Sequence, residues 1–199
     1  MTGLCGIAFA LAAGLLASGA DDLNGTGPAL QMFGLDIPPG PVTPAQGRLV
    51  ATADGQGAPV VGKLLVSVGD VRIVMLPDGQ LVTRAANQAE PTERPFEPAT
   101  KAALAEQLRS AGLTGFQSKE TRRYLYLYNC SELFAEAASR ILETMFRGVV
   151  GYVQAQEIPV VPPEVPLIVI IFRTAAEFQE FRRMPEDTVA YYDVLSNRV

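Results

Sequence analysis

The residues that could do chemistry in this sequence are few, and what is missing bounds them first. The 199-residue chain has no histidine. A Ser-His-Asp triad, a Cys-His dyad and a His-Glu-x-x-His zinc site all need an imidazole as base or ligand, so all three are excluded. Two cysteines, Cys5 and Cys130, are too few for a four-thiolate zinc or iron–sulfur site. Sixteen Lys+Arg stand against twenty-one Asp+Glu, a net charge of −5 with no basic run, which argues against a nucleic-acid partner. No residue is assigned a catalytic, cofactor-binding or metal-binding role from its type and spacing, and no cofactor is expected.

Several patterns have plainer structural readings. Gly57-x-x-x-x-Gly62-Lys63 has the outline of a phosphate-binding loop. That chemistry needs Ser or Thr after the lysine and a helix N-terminus to hold the phosphates; Leu64 follows instead, in a segment of strand character. Glu177 and Glu180 share a helical turn, as an acid/base carboxylate pair would. Thr174-Ala-Ala-Glu177 is better read as a capping box, which leaves Glu180 a solvated residue. Tyr124, Tyr126 and Tyr128 alternate on one strand face and could stack bases. With only Lys119, Arg122 and Arg123 nearby, a packed or half-exposed sheet face is preferred. Cys130 reads as a small buried hydrophobe, since no histidine is present to deprotonate it. Asn24-Gly25-Thr26 and Asn129-Cys130-Ser131 match the glycosylation sequon and are taken as chance matches to a short pattern.

The elements that must position these residues fall into segments. Asp21–Gln46 is rich in Gly, Pro and Asp and reads as a linker. Within 47–84, Arg48–Thr52, Lys63–Val68, Val71–Leu76 and Gln80–Thr83 are short β-type runs. Pro77-Asp78-Gly79-Gln80 supplies the turn between the last two, so a small β-meander is expected. Residues 85–98, with Pro91, Pro95 and Pro98, read as a second linker. From 99 to 199 the pattern is mixed. Thr100–Ala111 is a helix closed by Gly112, and Arg122–Tyr128 is a strand. Ser131 caps a long helix whose apolar pairs recur every four residues from Leu133/Phe134 to Val149/Val150, a stripe assigned to the core. Leu167–Phe172 is a strand apolar on both faces, Thr174–Met184 a helix and Val189–Tyr192 a strand. Arg198-Val199 begins a further strand. The fold class is α+β: a small β-meander followed by a mixed sheet with one long and two short helices.

Residues 1–20 give an address. They carry no charge, Leu4–Ala17 is apolar, and Ser18-Gly19-Ala20 places small residues before Asp21. This reads as a secretory signal peptide, with a short membrane anchor as the competing reading. The mature protein is expected to be secreted, periplasmic or otherwise extracytoplasmic, with no membrane association beyond that export signal.

At Tyr128-Asn129-Cys130-Ser131 the sequence meets a familiar order of motifs. A strand ends in Tyr-Asn-x-Ser and leads into a long helix. A Pro-Leu strand ending in Phe follows, here Pro166 to Phe172, then a short helix and Tyr191-Tyr192 with Asn197-Arg198. Together these resemble the secreted bacterial family catalogued as domain of unknown function 1570. The likeness is good over residues 96–199 and weaker over 47–83. Family members continue into a helix bearing His-Glu-x-x-His and a later Glu, which implies a zinc peptidase of the gluzincin type. None of those residues exists here, so no catalytic role carries over. The resemblance therefore implies the sheet half of a zincin-like fold, C-terminally incomplete, with no catalysis from this chain alone. The alternative is a non-enzymatic extracytoplasmic binding or cell-wall-associated module. On the first reading one face of the Leu167–Phe172 strand lacks cover. Tyr191-Tyr192 then forms a poorly paired edge, so marginal stability or self-association through that edge is expected.

Overall fold

A computed structural model describes Ile37, Gly40–Pro185 and Asp187–Val199. The expected signal peptide, Cys5 and the first sequon lie outside the described residues. The class is α+β, with an antiparallel sheet, a mixed sheet and, among the described residues, three α-helices. The chain divides into two compact units, one ending at Pro98 and including Asp193–Asn197, the other spanning Ala99–Tyr192 with Arg198–Val199.

The first unit is a five-stranded antiparallel sheet. Its strands are β1 (Val42–Ala53), β2 (Pro59–Val68), β3 (Val71–Met75), β4 (Leu81–Ala85) and β5 (Glu90–Pro91), in spatial order β4-β3-β2-β1-β5. The β3–β4 turn is the expected one, with Gly79 at φ 84° and Asp78 Oδ1 accepting from the Gln80 N–H at 3.1 Å. Parts of both expected linkers belong to the sheet, and residues 21–36, 38 and 39 of the first lie outside the described residues. Residues 42–46 belong to β1, where Val42, Thr43 and Pro44 pair with Val68, Ser67 and Val66. A bulge follows, in which Gln46 and Gly47 take positive φ. Within 85–98, a 3-10 turn at Ala86–Gln88 leads into β5, which pairs Pro91 with Val50 and Glu90 with Ala51. Ala89 between them is fully buried in a core with Val50, Leu64 and Val74. Loop composition hid this because two ladder pairs and one buried alanine leave almost no hydrophobic pattern.

The second unit is a three-layer sandwich. Its sheet runs β6 (Gln117–Glu120), β7 (Tyr124–Tyr128), β8 (Leu167–Ile171), with β6–β7 antiparallel and β7–β8 parallel. The crossover between the parallel pair carries α2 (Glu132–Ala155), as a parallel connection requires. β7 alternates as expected. Leu125 and Leu127 enter one core and Tyr124, Tyr126 and Tyr128 the other. The leucine face is covered by α1 (Lys101–Ser110), through Leu104, Ala105 and Leu108. This corrects the expectation of an uncovered face: α1 supplies the second layer. Its end is a Schellman motif, with Leu113 N–H donating to Leu108 O at 3.1 Å and Gly112 N–H to Arg109 O at 3.4 Å. Gly112 sits at φ 124°, and Leu108 and Leu113 are buried in one cluster.

Three further expectations change. The helix after β8 is α3 (Ala175–Phe181), shorter than 174–184. Val189–Tyr192 is not a strand. The Tyr191 ring instead packs 6.0 Å from Phe178 and under the Arg182 guanidinium at 5.2 Å. The place beside β8 is taken by Arg198-Val199, with Ile168 bridged in parallel to Arg198 and Ile170 N–H donating to Val199 O at 2.9 Å. Finally, the stripe on α2 is only partly core. Ala135 and Ser139 are buried and Leu142 and Phe146 pack against the tyrosines, whereas Leu133, Phe134, Ile141 and Val149 are exposed.

Candidate functional site

Parallel strands place their following loops on one sheet edge, and that edge is where open α/β sheets bind ligands. Here the loops after β7 and β8 bring Asn129, Cys130 and Ser131 beside Arg173, Thr174 and Glu177. Ser131 Oγ accepts from the Phe134 N–H at 3.3 Å and Thr174 Oγ1 from the Glu177 N–H at 3.2 Å, so each hydroxyl caps its helix. Asn129 joins the two loops. Its Oδ1 accepts from the Arg173 N–H at 2.6 Å and its Nδ2 donates to Glu177 Oε2 at 2.7 Å. Arg173 Nη2 meets the other carboxylate oxygen, Glu177 Oε1, at 2.7 Å. The hydrogen bonds from Arg173 and then Asn129 hold the Glu177 carboxyl below its ordinary range. The Glu177 side chain thus reaches Asn129 and Arg173 rather than completing a capping box. Both carboxylate oxygens are occupied, so the cluster is a clamp between two loops and offers no spare base.

Cys130 is half-buried against the tyrosine core, its Sγ 3.6 Å from Ser131 O. Burial pushes the thiol's pKa up, so it stays protonated at neutral pH and is a packing residue rather than a nucleophile.

A second cluster lies between β7 and α2. Arg123 Nη1 meets Glu143 Oε2 at 3.1 Å, and the guanidinium sits 4.2 Å from the Phe146 ring centroid. Burial alone would raise the Glu143 carboxyl. The neighbouring Thr121 hydroxyl and the Arg123 guanidinium outweigh it and hold the carboxyl below its ordinary range. Burial, then the Tyr124 and Glu143 charges, pushes Tyr126 far above the ordinary phenol value, and burial with Glu143 raises Tyr124. Tyr126 is fully buried, so the tyrosines present no face on which bases could stack. Neutral, enclosed phenols beside a paired carboxylate support packing, not proton transfer.

The remaining candidates also resolve into structure. Gly57 is a turn glycine at φ 85°. Gly62 lies in β2, where a Cβ would collide with Val74 Cγ1, and Lys63 sits 4.9 Å from the Phe96 ring centroid. No helix N-terminus begins there. Among the described residues no group of three or more Cys, Asp and Glu is placed to hold a metal, and no helix is long and apolar enough to cross a membrane. The Asn129–Glu177 and Arg123–Glu143 partnerships were missed by sequence reasoning. The first had one signal, an Asn placed directly after a buried strand.

Comparison with known proteins finds no matching family model, no matching curated protein and no matching solved structure.

Proposed function

We propose that this chain is a non-catalytic scaffold of an exported protein, corresponding to the sheet-forming part of a zinc-peptidase-like domain of the family catalogued as domain of unknown function 1570. The observation that carries the proposal is the order of the second unit. A buried Tyr-rich strand leads through Asn129 and the Ser131 cap into a long helix. A parallel Pro-Leu strand follows, with Arg198-Val199 on its far edge. That is the order of parts the sequence resemblance implies. The polar clusters support the scaffold role, because Glu177, Glu143 and Glu136 are each engaged in ion pairs within the unit. On this reading the first unit is an accessory module, and zinc chemistry belongs to a His-Glu-x-x-His helix outside these residues.

The coding sequence beyond the Val199 codon tests the proposal. The expected result is an open frame that continues into a helix with His-Glu-x-x-His. A continuation without that motif, or a stop codon at that point, would contradict it and favour the non-enzymatic binding-module reading.

A further inference from the structure

The link from α2 to β8, residues 156–166, is an arch with four prolines, Pro159, Pro162, Pro163 and Pro166, in neither helix nor strand. Each proline fixes its own φ near about −65° and pushes the residue before it into the extended region. Seven of the nine residues 158–166 are therefore restrained to backbone of the polyproline II type. That helix has about three residues per turn. Ile158-Pro159 and Val161-Pro162 are thus two apolar–proline pairs on one side of it, one turn apart. Ile158 is 53 % exposed and Val161 80 %, and Pro159 and Pro162 are exposed with them. Aromatic rings recognise such a ridge, and little ordering entropy is lost because the backbone is fixed beforehand.

The same unit carries rings of that kind at its other end. Phe116, Phe172, Phe178, Phe181 and Tyr191 form a continuous series of ring contacts with centroids 5.2–6.0 Å apart. Phe181 is 44 % exposed, and Phe172, Phe178 and Tyr191 are half-buried. Phe172, Phe178 and Phe181 follow β8, so the cluster stands at the carboxyl edge of the sheet. The arch precedes β8 and hangs beyond the opposite edge. Glu143 of α2 is already level with Arg123 at the start of β7, and residues 144–155 carry the helix about 18 Å past it. Arch and rings therefore cannot meet within one copy. Their charges are complementary. The only charged residues of the arch are Glu157 and Glu164. Around the end of α3, beyond the paired Arg173 and Glu177, two arginines, Arg182 and Arg183, stand against one carboxylate, Glu180.

We propose that the 158–166 arch of one copy docks on the Phe172, Phe178, Phe181 and Tyr191 cluster of another, a head-to-tail contact between identical chains.

Sedimentation velocity of the purified full chain under reducing conditions tests this. Because a peptide-sized contact is weak, the weight-average mass is expected to rise at about 100 µM and to fall on dilution. Pro159→Ala/Pro162→Ala removes the ridge, and Phe181→Ala removes the most exposed ring of the cluster. Each variant alone should be monomeric, whereas the two mixed should form a 1:1 complex that grows no further. A synthetic peptide of residues 156–166 keeps the test independent of how Phe181→Ala folds. It should bind the Pro159→Ala/Pro162→Ala chain and shift the Phe181 and Tyr191 ring resonances, and the peptide with both prolines replaced by alanine should not. An unaltered chain that stays monomeric at that concentration would overturn the proposal. So would a folded variant that self-associates as the unaltered chain does, two folded variants that yield no 1:1 complex, or a peptide that leaves the rings unmoved.

Discussion

Arg123 Nη1 stands 3.1 Å from Glu143 Oε2, tying the start of β7 to the middle of α2 with both side chains about a quarter exposed. The pair is sequestered enough that removing one partner leaves the other charge partly desolvated. Glu143→Gln is therefore expected to cost about 1–3 kcal/mol of stability. Urea denaturation of the two proteins measures it. A loss indistinguishable from zero would show that the contact is a surface pair.

The same carboxylate makes stability depend on pH. Glu143 titrates below its ordinary value near 4.5 in the folded chain, as do Glu136 and Glu177. Around and below that value the unfolded chain binds more protons, so stability rises with pH through this window. The stabilisation is fully present above the unfolded value and is lost as pH falls through the folded ones. Thermal melts from neutral pH to about pH 3 should show a falling midpoint, less steep for Glu143→Gln. An equal slope in both proteins would place the acid sensitivity elsewhere.

Asn129 holds two loops with one amide. Asn129→Ala removes an acceptor for the Arg173 N–H and a donor to Glu177, an expected loss of about 1–3 kcal/mol. Asn129→Asp keeps the acceptor but sets a carboxylate against Glu177, and should be at least as destabilising. Hydrogen exchange at the Arg173 amide reports the local effect. Unchanged protection in both variants would refute the clamp.

Two glycines should respond oppositely. At Gly62 a Cβ would collide with Val74 Cγ1 and lie 3.1 Å from Met75 O, so Gly62→Ala is expected to cost about 1–3 kcal/mol. At Gly151, inside α2, a Cβ meets nothing within 4 Å among the described residues, so Gly151→Ala should stabilise the folded chain by about 0.5–1 kcal/mol. Chemical denaturation of both variants checks the pair of signs.

What was legible in the sequence was whatever a local period or a cap encodes. Thr100, Ser131 and Thr174 announce their helices because a hydroxyl must satisfy the first free N–H groups. The alternation of Tyr and Leu in β7 divides two cores because both faces are covered. What failed was non-local. β6 is polar, Gln-Ser-Lys-Glu, and is a strand only because it pairs with β7. Tyr191-Tyr192 has strand composition, but Tyr191 is held by ring contacts while Arg198 takes the place beside β8. On α2, apolar residues occupy more of the circumference than the sheet covers, so periodicity alone could not show which seam turns inward. The Asn129–Arg173–Glu177 clamp joins residues more than forty positions apart, a distance no local pattern bridges.

Zinc content of the purified chain after exhaustive dialysis, read by elemental analysis, tests the scaffold role most directly. With no histidine in the sequence and Glu136, Glu143 and Glu177 engaged with cations, the account predicts no stoichiometric zinc. Tight one-to-one zinc that survives dialysis would contradict it.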